Sequence, residues 1–163
     1  MDAYRVTLDK AALARLQQTL QRLQDANLSD ALESIATAGE AVTRERISDA
    51  GRLDSDKPGI GPQNETWPAW TDGYAKTVQA NKGGLWNSGT LHDAITSASD
   101  GKVAIWGVEG IAYARVHQWG YREKTAASRL RKNIPARPYI GYGKQEETAV
   151  YEAIADFMRS TLQ

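Results

Sequence analysis

Residues 113–120, Tyr-Ala-Arg-Val-His-Gln-Trp-Gly, and residues 134–141, Ile-Pro-Ala-Arg-Pro-Tyr-Ile-Gly, are the two stretches around which the rest of the chain is arranged. In the first, Tyr113, Val116 and Trp119 or Gly120 fall three or four apart. That spacing predicts one short amphipathic helix with those side chains on a shared face, stopped by Gly120. The second stretch is barred from helix, because Pro135 and Pro138 lack backbone donors and push Ile134 and Arg137 toward extended geometry. An aromatic helix, a basic connection and a proline-stiffened arm amount to more rigid detail than a surface connection requires.

Working outward, Asp100-Gly101 between two alternating segments is a strong hairpin signal. Ile95 with Ala98, and Val103, Ile105 and Gly107, are expected to line its strands; helical geometry over 91–97 competes for the start of the first strand. Glu109-Gly110 turns the chain into the aromatic helix. Near the N-terminus, Tyr4, Val6 and Leu8 alternate with Arg5 and Thr7, as a strand or extended arm would. Asp9 is a candidate N-cap for a helix over 10–24 with Leu13, Leu16, Leu20 and Leu23 as a narrow seam. A second helix from 28 to about 50 carries Leu28, Leu32, Ile35, Gly39 and Val42. The pair suits an antiparallel helical hairpin, its seams either core or shared between subunits. A last helix over 144–161 places Glu146 and Glu147 in its first turn, favourable for the macrodipole, with Val150, Ile154, Phe157 and Leu162 inward beside Ala153 and Met158. The expected class is α+β: helices packed on a small antiparallel β-sheet, with a long irregular loop and an extended arm. One domain spans 1–163, divided into an N-terminal strand and helical pair (1–50), a long loop (51–84), a hairpin, short helix, basic loop and proline arm (85–143), and the final helix (144–163).

The 163 residues are enough for a core without metal or disulfide help. Twenty basic side chains balance 20 acidic ones, so no global field draws the chain to nucleic acid or membrane. There is no cysteine, which excludes thiol catalysis and thiolate metal sites and fits a reducing cytoplasm. No apolar run is long enough to span a bilayer, and the first residues lack a signal-peptide pattern, so a soluble protein made inside the cell is expected.

Candidate chemistry is sparse. His92 and His117 have no nucleophile elbow, and no ligand-spaced partners beyond Asp93 next to His92. For His117 a buried structural or interface role outweighs catalysis, metal binding or a pH-sensitive contact. Gly59-x-Gly61 and Gly83-Gly84 lack the ending of a phosphate loop. Glu146-Glu147 point apart on a helix and read as a solvated face. Trp67 and Trp70 stand on a stiff Trp-Pro-Ala-Trp backbone within 51–84, a stretch whose glycines and prolines allow no long periodic segment. They suit docking against a neighbouring subunit, packing on the chain's own core, or a small ligand. Residues 71–79 admit a brief helix. In 121–137, Arg122, Lys124, Arg129, Arg131, Lys132 and Arg137 face Glu123 alone. Contact with an acidic neighbour, a solvated loop, and attraction to passing phosphates are the readings open to that segment. Arg137, between Ala136 and Pro138, has a fixed backbone and so an aimed guanidinium.

Tyr-Ala-x-x-His-Gln-aromatic-Gly followed by Ile-Pro-Ala-Arg-Pro-aromatic-x-Gly resembles the phage virion morphogenesis family, which includes tail-completion and head–tail joining proteins of Mu-like and P2-like phages. The likeness runs from Pro58 to Gly141. It takes in Trp67 with 71–76, and Leu85-x-x-Ser88-Gly89-x-Leu91-x-x-Ala94-Ile95, where Ser88 and Ala94 replace the usual Thr and Ser and Trp119 stands where Phe is commoner. The resemblance implies a non-enzymatic virion protein that forms a ring at the head–tail neck, present in the host cytoplasm during assembly and needing no cofactor or metal. The ring would be a hexamer or a 12-mer around the channel that genome DNA crosses. Its implied partners are a tail terminator or tail tube protein and a head connector or adaptor protein. The protein-interface residues expected on this reading are Trp67, Trp70, Tyr113, His117, Trp119, Arg131, Arg137 and Tyr139; a non-specific DNA-binding module acting through 121–137 is the alternative.

Overall fold

A computed structural model describes residues 10–52, 59–69, 85–86, 88–122 and 133–162. The strand expected at 3–8, the cap at Asp9, the helix at 71–79, Trp70 and the basic loop 123–132 with Arg131 lie outside the described residues. Helix α1 spans Lys10–Asp25, α2 Leu28–Arg52, and α3 is the single turn Thr90–Asp93. Strands β1 (Ile95–Ser99) and β2 (Ala104–Val108) follow, then α4 (Ala114–Trp119), the short strands β3 (Tyr121–Arg122) and β4 (Asn133–Ile134), and α5 (Lys144–Leu162). This is the expected α+β arrangement of helices with small antiparallel sheet.

Helix α2 organises the fold: α5 packs along one side of it and the β1–β2 hairpin along another. Asn27 begins it, with its Oδ1 accepting the Ser29 N–H at 3.1 Å and its Nδ2 donating to Asp30 at 2.9 Å. Because two elements cover it, its buried stripe is wide and runs through small or polar residues, Ala36, Gly39, Thr43, Arg46 and Ile47. Hydropathy spacing pointed to Leu28, Leu32, Ile35, Gly39 and Val42, and of these Leu28 is exposed. No helical hairpin of α1 with α2 forms the core; α1 rests on α5 and leaves Leu13, Leu16 and Leu20 exposed.

The hairpin pairs Ile95 with Val108 through Ser99 with Ala104. Asp100 shapes its turn, accepting the N–H groups of Lys102 and Val103 at 2.9 and 2.8 Å. Those two bonds hold its carboxyl below the usual value. Alternation then fixes which side is covered, and it is the side of the expected Ile95 but not that of the expected Ala98, Val103 and Ile105. Ile95 and Trp106 share the inner face, while Ala98, Val103 and Ile105 are exposed. The reason is Gly39. Its missing side chain lets the Trp106 indole lie on α2, where an added Cβ would stand 2.6 Å from Cε3. Ile47, Trp67, Leu85, Leu91, Ile95, Ala114 and Tyr139 complete one apolar cluster.

Gly39→Val should therefore destabilise the protein by about 1–3 kcal/mol through overpacking, read as a lower urea midpoint. An unchanged midpoint would show that Trp106 does not depend on that gap.

Candidate functional site

Residues 135–143 belong to no strand, so their backbone polar groups must be met from elsewhere. Side chains from three parts of the chain converge to do this. Gln118 of α4 accepts the N–H groups of Tyr139 and Ile140, both at 3.1 Å, and returns its Nε2–H to the Ile140 carbonyl at 2.8 Å. The Arg137 N–H donates to the His117 carbonyl at 2.7 Å, using an acceptor that the end of a short helix leaves over. The Trp67 indole donates to the Pro138 carbonyl at 2.8 Å. Arg46 of α2 donates through Nη1 to the Tyr139 carbonyl at 2.9 Å.

Arg46 also ties the arm to the final helix. Its Nη2 pairs with Glu146 and lies 3.0 Å from Gln145 Oε1. The second Glu146 oxygen accepts the Gly143 N–H at 3.0 Å, closing the start of α5 as a capping box would. Glu146 is wholly buried, so the solvated reading holds for Glu147 but not for its neighbour. An ion pair so far from water is tolerated because nearly every polar atom is used. The exception is the Nε–H of Arg46, buried without an acceptor.

The aromatic helix has its faces arranged differently from its spacing. Ala114 is buried and Gln118 is turned to the arm, whereas Tyr113 is 44% and Trp119 74% exposed. The arm fills the Ala114–Gln118 side, and Tyr139 donates its hydroxyl to the Ala114 carbonyl at 3.3 Å. Burial, with Tyr113 adding to it, pushes that phenol up to about 12, so it stays a donor at any working pH. Gly120 does stop the helix, at φ 74°, and β3 pairs with β4 directly after it. The ribbon thus sets Arg122 opposite Asn133. His117 stands edge-on to Tyr113, with ring centroids 5.6 Å apart. Its Nδ1 is buried without a partner, and burial, then the Arg137 charge, lowers its pKa.

Comparison with known proteins agrees with this arrangement of motifs. The phage virion morphogenesis family model matches residues 11–159. The chain belongs to the phage virion morphogenesis family. It is also 28% identical over 142 residues to a protein of Escherichia phage Mu named "Putative capsid assembly protein G", covering 82% of this chain and 89% of that one. No solved structure matches. The family likeness reaches beyond 58–141 and takes in most of α1 and nearly all of α5, where short motifs gave no signal.

Within this family member, the interface candidates divide sharply. Trp67, Arg137 and Tyr139 are 2, 5 and 2% exposed. The Arg137 guanidinium donates to the chain's own carbonyls, to Pro68 at 3.0 Å and to Ala69 at 3.2 Å. As packed in this chain, these three join its own parts. Tyr113 and Trp119 face outward, with His117 half-buried between them. Among the described residues, no group of three or more His, Cys, Asp or Glu could hold a metal ion. His92 Nδ1 lies 2.8 Å from Asp93, its ring edge-on to Trp86. Sequence reading missed Gln118, Arg46 and Glu146. Gln118 sat inside the quoted motif, whereas Arg46 had no local mark.

Glu146→Ala leaves the Arg46 charge buried and should cost about 3–5 kcal/mol, with Arg46→Met added to it recovering much of the loss; a denaturation series measures both, and equal damage from single and double variants would contradict the pairing. The unfolded chain protonates His117 near the ordinary value of 6.5, whereas the folded chain resists until a lower pH. This contribution to stability is therefore complete above that value and is lost as pH falls toward the lowered one. His117→Gln should flatten the decline, and a denaturation profile of equal slope in both proteins would contradict it.

Proposed function

We propose that the protein is a structural component of the phage neck, assembling as a ring at the head–tail junction and completing the tail or joining it to the capsid connector. Membership of a virion morphogenesis family and similarity to a protein named for capsid assembly support a role in building the particle. The observation that carries the finer reading is Trp119. Its ring is 74% exposed at the end of a helix whose backbone and side chains are bonded to the arm, with Tyr113 and Tyr121 also exposed nearby in the chain. A large aromatic side chain held rigidly in water has the character of an interface anchor. Ring formation needs each subunit to present one surface to a different surface of the next.

On this reading the neighbours are further copies of the chain, as a hexamer or 12-mer, with a tail terminator or tail tube protein on one side and a connector or adaptor on the other. Genome DNA passes through the channel. The role is structural: no catalytic group, cofactor or metal is needed, since the polar atoms around the arm are engaged in holding backbone.

Trp119→Ser tests it. Removing an exposed ring should change unfolding stability by no more than about 0.5 kcal/mol. Native mass measurement should give rings for the unaltered protein and subunits for the variant. Phage carrying the variant should yield unjoined heads and tails. Rings and intact virions from the variant would overturn the reading.

A further inference from the structure

A groove of 940 Å³ runs between α2, α5 and the 59–66 turn, away from the Gln118 contacts. Its apolar lining includes Val42, Ile60 and Ala149, and Glu45, Asp49 and Glu152 also line it. Glu45 and Asp49 are one helical turn apart, a like-charge spacing that costs a few tenths of a kcal/mol on a helix. Three other carboxylates on these helices are neutralised: Glu40 pairs with Arg44, Glu146 with Arg46, and Asp156 with Arg159. Among the described residues, the three groove carboxylates have no ion pair, and the cations that line the groove are Lys144 and Arg46, the latter neutralised by Glu146. Arg46 brings a second requirement. Its side chain is 4% exposed and lines the groove, and its Nε–H has no acceptor. An occupant must therefore bring positive charge to the acidic side chains, and a carbonyl oxygen that displaced the cover over Arg46 would satisfy its Nε–H.

The chain itself contains such an occupant. Residues 122–132 carry Arg122, Lys124, Arg129, Arg131 and Lys132 against Glu123, and β3 and β4 set the flanking Arg122 and Asn133 opposite each other. We infer that the acidic groove of one subunit receives the basic 122–132 loop of the next, making the groove the receiving half of a head-to-tail contact. The inference rests on the ring reading of the function and names both sides of its interface. Polypeptide fits better than phosphate, because the three carboxylates would repel a nucleic acid backbone. Charge placed this way sets the register and the neighbour, and is weakened by salt.

The test uses the full-length protein and two multiple variants, Glu45→Lys with Asp49→Lys in the groove and Arg129→Glu with Arg131→Glu and Lys132→Glu in the loop, the last leaving two cations against four carboxylates in 122–132. Each alone should weaken assembly roughly tenfold or more. Mixed in equal amounts, they should regain rings of alternating subunits, since every groove then meets a loop of opposite sign. Glu45→Gln with Asp49→Gln, unable to repel a cation, controls for folding and should assemble weakly at any salt concentration. A groove variant that assembles like the unaltered protein, or a mixture that stays dissociated, overturns the inference. If charge variants assemble normally while Trp119→Ser does not, the groove assignment falls and the ring reading stands. An unaltered protein that never assembles removes both. A shift in the melting of a subunit with no change in assembly would mean that the loop folds onto its own groove, also against the inference.

Discussion

A length of backbone that pairs with no strand must still find partners for its N–H and C=O groups, and that requirement at residues 137–140 governs this molecule. Prolines at 135 and 138 keep the segment out of helix and remove two donors. Every remaining N–H of 137–140 is taken, one by the end of a short helix and two by Gln118. Its carbonyls at 138, 139 and 140 are taken by Trp67, Arg46 and Gln118. Each net hydrogen bond is worth about 1 kcal/mol, but leaving a buried group unmet costs about 1–3. The arm therefore binds distant parts of the chain because its own polar groups are expensive to abandon.

That arrangement explains how a small α+β chain presents something rigid to the outside. The arm occupies the inward side of α4, so Trp119 is left at the opposite edge on a short helix with little freedom. Arg46 and Glu146 carry the same rigidity to α2 and α5, whose separation opens the acidic groove. The cohesive residues and the outward ones are thus different residues serving one geometry. Trp67, Arg137 and Tyr139 make the subunit firm, and Trp119 is what that firmness presents.

Much of this was written in local sequence. The proline pair declared the extended arm, Gly120 the helix stop, Asp100-Gly101 the turn, and leucine spacing the long helices. What could not be read locally was direction. Tyr113 and Trp119 share a face by spacing, but that this face points outward follows only from the arm filling the Ala114–Gln118 side. Ile105 looks like core until Gly39 is seen making room for Trp106 instead. Glu146 looks solvated because its partner, Arg46, is 100 residues earlier in the chain. Burial there follows from tertiary pairing that no window of sequence contains. Most of the candidate interface lay in the motifs. Its division into inner and outer residues did not.

The central claim is that a subunit made rigid by its own arm offers Trp119 to a neighbouring chain. Electron microscopy, at side-chain resolution, of the phage particle containing this protein addresses it most directly. The account predicts the Trp119 indole buried against an adjacent chain while Trp67, Arg137 and Tyr139 keep their partners within the subunit. Trp119 left in solvent, with the arm unpacked and inserted into a neighbour, would contradict it.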